Sequence, residues 1–424
     1  MHSLAGVGRA DITQQGPLRL EGYGRTGAST GVLDPLSATA LALARDPAEP
    51  LVLISCDATA LLVRDCDALR GAVARALGIG AKRVHLLYTH THSAPAITPE
   101  YLDLLRERLV AAAGEAVGAL RPARVGWGVA EADAALHRRP RDAQGRAYHG
   151  PNPAFPIDRR VGLLRVDGAD GRPLAALLWY GAHGNVLKGE SSVVSADWPG
   201  AARRVVEGAL GCPALVAIGA SGNVNARWRG DTDALERMGL AVGGAALAAW
   251  AAVETAPLTT LDVRSETLPL RMLPLPDEGE LARIAAEARE HWERSVDAWA
   301  AAVRALRAAG HREPPPLSLP VTVARVNDGY LGGIPMEAFT EIGLAVAARF
   351  PGRPVCFGGY VDGWIGYLPV ADEHAAGGYE VEWAPAVYGM ASGWLRPAVP
   401  ETAGEVVEAA ARLIGRLAAG DGAS

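Results

Sequence analysis

The chain has 424 residues, with 41 basic and 47 acidic side chains and a formal charge of −6. That balance excludes a protein that tracks nucleic-acid phosphates, which needs a basic face. The length holds one large domain or two to three smaller ones, each able to bury a real core.

Met1-His-Ser-Leu-Ala-Gly has neither a basic n-region nor an apolar h-region, so no signal peptide and a cytoplasmic location are expected. Strand-like and helix-like segments then alternate. The run Leu51–Ser55 reads as a buried strand and Val63–Leu77 as a helix; the strand Arg83–Tyr88 and the helix Pro99–Ala119 follow. The strand Leu174–Tyr180, a helix after Pro199, the strand Ala214–Ile218 and the helix Ala234–Ala252 repeat the rhythm of an α/β protein. The longest uncharged stretch, Met238–Val253, is short of the ~18 apolar residues of a membrane span, so no membrane partner is expected. Glu278–Ala309 is rich in Ala, Glu and Arg and ends at a proline-rich stop. It reads as one long helix or a hairpin packed on the body, with a dimerisation arm, and hence a homo-oligomer, as the alternative. A last helix runs from Thr402, as N-cap, to Leu417, and the tail beyond is expected to be disordered. Cys56, Cys66, Cys212 and Cys356 show no C-x-x-C spacing and read as free buried thiols in a reducing compartment.

The chemistry concentrates in Val84-His-Leu-Leu-Tyr-Thr-His-Thr-His-Ser-Ala-Pro, where an apolar strand ends and presents His90 and His92. Side chains at i and i+2 of an extended backbone point the same way. The two imidazoles can chelate one metal, or one can bind it while the other carries a proton; the plain alternative is a hydrogen-bonded surface pair. His183 follows the apolar run Leu174–Tyr180 and sits between glycines. Glu337 follows Gly332-Gly-Ile-Pro and precedes a helix, where it is either a ligand or an acid stabilised by the helix dipole.

Thr89-His-Thr-His-Ser-Ala-Pro resembles the signature of the neutral (non-lysosomal) ceramidase family. The resemblance runs in family order through Val7-Gly-Arg-Ala-Asp-Ile-Thr, Trp179-Tyr-Gly-Ala-His-Gly, Ser195-Ala-Asp-Trp-Pro-Gly, Ile334-Pro-Met-Glu-Ala-Phe, Gly363-Trp-Ile-Gly-Tyr-Leu-Pro and Gly377-Gly-Tyr-Glu-Val. It implies an α/β catalytic domain with a mixed, layered sheet spanning residues 1–424, with a helical insertion at 277–316 and no C-terminal β-domain. It also implies one Zn2+ held by His90, His183, Glu337 and Tyr367, although Tyr367 reads equally as a pocket-wall residue. His92 would shuttle a proton or stabilise a tetrahedral intermediate. Arg138, matching the arginine of the family's Asn-Arg-Ser-Pro, would clamp or polarise substrate, with Asn152 lining the same pocket. A solvated surface is the alternative for the loop of Arg138, Arg139, Arg141 and Arg146.

One departure matters. The family's Gly-Asp-Val-Ser reads Gly222-Asn223-Val224-Asn225 here, so the serine taken to accept the acyl group or position water is Asn225. An amide hydrogen-bonds but cannot act as that nucleophile. Asn225 is therefore assigned a catalytic hydrogen-bonding role, and Asn223 and Trp364 are assigned to substrate binding. Trp364, Trp383, Phe155 and Tyr388 are candidates for an apolar wall; Glu341 either handles protons or faces solvent. The resemblance implies a zinc hydrolase whose metal-bound water attacks an amide, lactam or ester carbonyl of a small soluble molecule. A zinc-dependent lyase or cyclase in biosynthesis, or a family member that binds ligand without turnover, is the alternative.

Overall fold

The computed structural model of the protein describes residues 2–292 and 295–419. The central sheet is built from β1 (Leu4–Asp11), β2 (Ser37–Ala44), β3 (Leu51–Cys56), β4 (Val84–Tyr88), β5 (Arg121–Glu131), β6 (Arg160–Gly168), β7 (Pro173–Tyr180) and β8 (Ala214–Ile218). Their order is β8-β7-β6-β5-β1-β2-β3-β4. β3–β4 and β7–β8 pair in parallel and the other neighbours antiparallel. A second sheet places β9 (Leu261–Leu270), β10 (Leu317–Val326), β11 (Gly329–Gly333) and β12 (Val355–Gly358) side by side in that order.

The central strands are continuous apolar runs because both their faces are covered. Along β2, Ala38, Ala40 and Ala42 enter one core, with the helices α1 (Val63–Leu77), α2 (Pro99–Gly118), α3 (Asp197–Leu210) and α4 (Thr232–Ala252). Leu41 and Leu43 enter another, where Leu177 and Trp179 of β7 meet Ala324, Leu331 and Cys356 of the second sheet. The outer face of the second sheet is in turn covered by the helix Thr340–Ala348, which lies between its last two strands in the chain, and by the helix Thr402–Ala419. The layers are therefore helix, sheet, sheet, helix, the mixed α/β architecture expected.

Local chemistry sets most helix ends. The Thr98 hydroxyl accepts the Tyr101 N–H at 3.2 Å, with Pro99 in the first turn of α2. Asp231 does the same for Ala234 at the start of α4. The Glu278–Ala309 segment is a hairpin of α5 (Glu278–Trp292) and α6 (Asp297–Ala308). It buries Leu281, Ile284, Trp299 and Val303 against Trp383 and Ala386. Beyond α7 (Thr340–Ala348), the last helix is α8 (Thr402–Ala419). Thr402 is its first residue and not its cap: its hydroxyl has no partner, and the first turn closes through Glu405 N–H on the Glu401 carbonyl. The expected disordered tail, residues 420–424, lies outside the described residues. Among those described, no helix is long and apolar enough to cross a membrane, and all four cysteines are buried and free.

Parallel pairing puts the C-terminal ends of β3 and β4 together, and likewise those of β7 and β8. Ser55 Oγ of β3 donates to the Val216 carbonyl of β8 at 2.7 Å and accepts the Val216 N–H, so both pairs of ends are joined. Loops at such carboxyl ends are where open α/β sheets bind ligands.

One contact fixes how α2 lies on the sheet. A Cβ on Gly8 would stand 2.3 Å from the Ala112 carbonyl oxygen, backbone against backbone. Gly8→Ala should therefore lower unfolding free energy in urea by about 1–3 kcal/mol, the usual cost of overpacking. Wild-type stability in that variant would show that α2 is free to shift.

Candidate metal centre

Two loops from the joined strand ends supply histidines whose orientation is set by backbone carbonyls. His90, two residues past β4, has φ +54°, a left-handed conformation that side chains other than glycine seldom adopt. Its Nδ1 lies 2.6 Å from the Thr59 carbonyl. His183, three residues past β7 and fully buried, has Nδ1 2.7 Å from the Ser221 carbonyl and 3.1 Å from that of Val224. A carbonyl can only accept, so each ring carries its proton on Nδ1 and presents Nε2 as a lone pair. Burial, with the charge of Arg138 nearby, presses the His183 pKa down to about 3, which keeps that lone pair bare.

Glu337 meets both histidines. Its Oε2 is 3.0 Å from His183 Nε2 and 3.5 Å from His90 Nε2. Two donors hold the carboxylate: Trp364 Nε1–H on Oε1 at 2.9 Å and the Tyr360 hydroxyl on Oε2 at 3.2 Å. His92 Nε2 stands 3.1 Å from His90 Nε2, and its buried Nδ1 has no partner. Burial first, then the neighbouring His90 and His183, push the His92 pKa well below the ordinary histidine range. Tyr367 pairs with Glu337 across a short parallel ladder, so the two side chains share a face. Its hydroxyl accepts from Arg138 Nη2 at 3.2 Å.

No hydrogen bond reaches His183 Nε2, which is buried. Two imidazole lone pairs and a carboxylate oxygen therefore converge with negative ends inward, and the ligand atoms of His90, His92 and His183 lie within 4.8 Å of one another. Such a set is costly unless a cation sits in it. One proton relieves a single pair of these atoms; a metal ion relieves all together, so the residues present fit a metal centre. It opens onto a cavity of about 530 Å3, lined on the centre's side by His90, His92, Glu337 and Tyr367. Leu62, Ile97, Leu102, Trp364 and Tyr388 form apolar wall.

The other expected residues divide. Arg138 and Arg139 are 3% and 1% exposed, which overturns the solvated-surface reading for these two, whereas Arg141 and Arg146 of the same loop are exposed. Arg138 Nε donates to Glu380 Oε1 at 2.8 Å and Nη1 to Asn225 Oδ1 at 3.1 Å. Arg139 donates to Glu380 and to Glu373, and Arg141 to Glu373 as well. Burial alone would raise the Glu380 pKa, but Arg138 and Arg139 hold it down at about 2. Asn225 Oδ1 also accepts from Asn185 Nδ2 at 2.9 Å, leaving the Asn225 NH2 as its available end.

Asn223 and Asn152 have local partners in place of the substrate contacts expected. Asn223 Oδ1 accepts the Thr340 N–H that opens α7, and its Nδ2 donates to Glu341 Oε2. Asn152 closes its own loop, bridging to His137 and donating to the Arg139 carbonyl at 3.2 Å. Glu341 does not face solvent freely: burial raises its pKa. It joins His137 and Glu373 in a group of potential ligand atoms apart from that of His90, His92 and His183, where both Glu373 oxygens already accept from arginine. Of the four expected wall aromatics, Trp364 and Tyr388 line the cavity, Trp383 lies in the helical-hairpin core, and Phe155 stacks on His137.

Sequence reasoning missed Tyr360, Glu380 and Asn185. Tyr360, with φ +61°, lays its ring 4.4 Å from that of His90 and bonds both Glu337 and Ser221. Its only signal was the flexible Gly358-Gly359 before it. Glu380 stood in the quoted Gly377-Gly-Tyr-Glu-Val, where an acid near an arginine-rich loop was the available hint.

No protein-family model matches the sequence, and no curated protein does. Among solved structures, a ceramidase complexed with C2 is similar at 19% identity and a TM-score of 0.73, over 98% of this chain and 76% of that one. Neutral ceramidase from Pseudomonas aeruginosa is similar at 21% identity and a TM-score of 0.71, over 98% of this chain and 75% of that one. This chain has the fold of neutral ceramidase.

Proposed function

We propose that the protein is a zinc-dependent hydrolase that cleaves an amide, lactam or ester bond of a small molecule. The observation that carries the reading is the convergence of His90 Nε2, His183 Nε2 and Glu337 Oε2, with the two imidazole protons fixed on the far nitrogens. Two imidazole nitrogens and a carboxylate, with a position left open, suit a catalytic zinc, and Tyr367 is the proposed further ligand. Bound there, zinc would supply a water with pKa lowered to about 7 and would polarise a carbonyl.

The chain's own residues supply the rest. His92, which lines the cavity with its Nε2 beside His90, moves a proton to or from the reacting group. The Asn225 NH2, fixed because its Oδ1 is engaged by Arg138 and Asn185, donates to a carbonyl oxygen on which charge develops. Arg138 orients Asn225 and the Tyr367 hydroxyl together. The apolar wall excludes water.

A lyase or cyclase reading shares the centre, and Asn225 in place of a hydroxyl nucleophile favours it. Solvent oxygen-18 separates the two. The hydrolase should place one labelled oxygen in the product acid; product formed without label assigns the lyase or cyclase.

Purified protein should hold about one zinc per chain, as two-His catalytic sites do, with metal and activity lost together in His183→Ala and Glu337→Ala. Metal analysis that finds none in the wild type would falsify the reading. Trp364→Phe keeps the aromatic wall but removes the hydrogen bond to Glu337 Oε1. It should weaken zinc affinity about 10–100-fold in a chelator competition, the usual effect of removing a ligand's outer partner; unchanged affinity would show that Glu337 is positioned without it.

A further inference from the structure

The cavity carries a charge that the proposed reaction does not use. Glu21 lines it, on the side of His92. The next residue, Gly22, has φ +92° and lies so close over His92 that a Cβ would stand 2.4 Å from its ring. The Glu21 backbone is fixed as well. Its N–H donates to the Ala94 carbonyl at 3.0 Å, and its carbonyl accepts from Arg25 Nη1 at 3.0 Å. The same Nη1 donates to the His92 carbonyl at 2.7 Å, and Arg25 Nε to that of Ser191. Arg25 thus staples the Glu21 backbone to that of His92, so the main chain that carries this acid holds a set place beside the centre.

The side chain is half-buried, and no cation or N–H among the described residues reaches its carboxylate. Asp65, also on the wall, has Arg64 Nε at 3.5 Å; Arg25 is engaged with carbonyls. A ligand that fills the cavity displaces the water around Glu21, and an ionised carboxylate left dry without a partner is strongly unfavourable. A neutral apolar chain would strand it, and a carboxylate would be repelled. An ammonium or amidinium group would pair with it.

We infer that Glu21 selects substrates bearing a cationic amine or amidine group, so that the scissile bond belongs to an amino-functional compound. The inference rests on the proposed hydrolase reading for the bond cleaved, while the cation site itself is testable without turnover. Calorimetric titration of the zinc-loaded full chain with 4-phenylbutylamine, protonated at pH 7, and with the neutral isostere 4-phenylbutan-1-ol reads it directly. The amine should bind about tenfold tighter, as one charge-assisted hydrogen bond gives. Glu21→Gln should remove that preference, whereas Glu21→Asp and Asp65→Asn should retain it. No binding of the amine, equal affinity for the two ligands, or a preference that survives in Glu21→Gln would overturn the assignment. A protein that binds the amine selectively yet hydrolyses nothing would count against the hydrolase reading alone.

Discussion

The structure depends on two hydrogen bonds that never touch a ligand: His90 Nδ1 to the Thr59 carbonyl and His183 Nδ1 to the Ser221 carbonyl. With the protons pinned there, Nε2 of each ring is a lone pair aimed at Glu337, and the carboxylate is aimed back by Trp364 and Tyr360. The carbonyls belong to loops at the ends of β3 and β8, so the sheet's strand order decides the tautomers. The burial that favours packing also presses the His183 pKa to about 3, which favours the neutral ring.

The segments around the centre contain unfavourable backbone. His90, Asp197, Tyr360 and Asp362 all have φ between +54° and +61°, each costing of order 1–3 kcal/mol. The surroundings offset this locally. Asp362 accepts the Leu86 N–H and holds His85 Nδ1 at 2.6 Å, and Asp197 accepts the N–H groups of Val186, Leu187 and Trp198. Each clamp fixes a turn beside a residue of the centre: Asp362 lies between Tyr360 and Trp364, and Asp197 holds the loop after His183. Strain and centre coincide because left-handed turns bring side chains of adjacent residues back into one pocket.

How far the site could be read from sequence follows from range. His90 and His92 announce themselves because the ligand spacing and the strand end lie within a dozen residues. The strand Leu174–Tyr180 pointed to His183, and the run of family-like segments pointed to Glu337 and Tyr367. The sequence also carried the α/β alternation, since continuous apolar runs followed by helices reflect burial on both faces. What stayed hidden are pairings across the chain. Whether Asn223 meets a substrate or the first turn of α7 depends on residues 117 positions away. Arg138 reads as a surface cation until Glu380, 242 positions on, is placed against it. Thr402 has the composition of a cap but enters its helix one residue late.

Arg138 joins these observations into a constraint on chemistry. A buried guanidinium without its carboxylate would be strongly destabilising, and Glu380 supplies that carboxylate while being shared with Arg139. Arg138 is therefore already engaged by a carboxylate before any substrate arrives, and it is not a free clamp for an anionic group. Its remaining donors point to Asn225 and Tyr367, so it acts as a brace for two polar groups at the centre. With Arg138 engaged by Glu380, the proposed discrimination among substrates falls to the Glu21 carboxylate and not to the arginine.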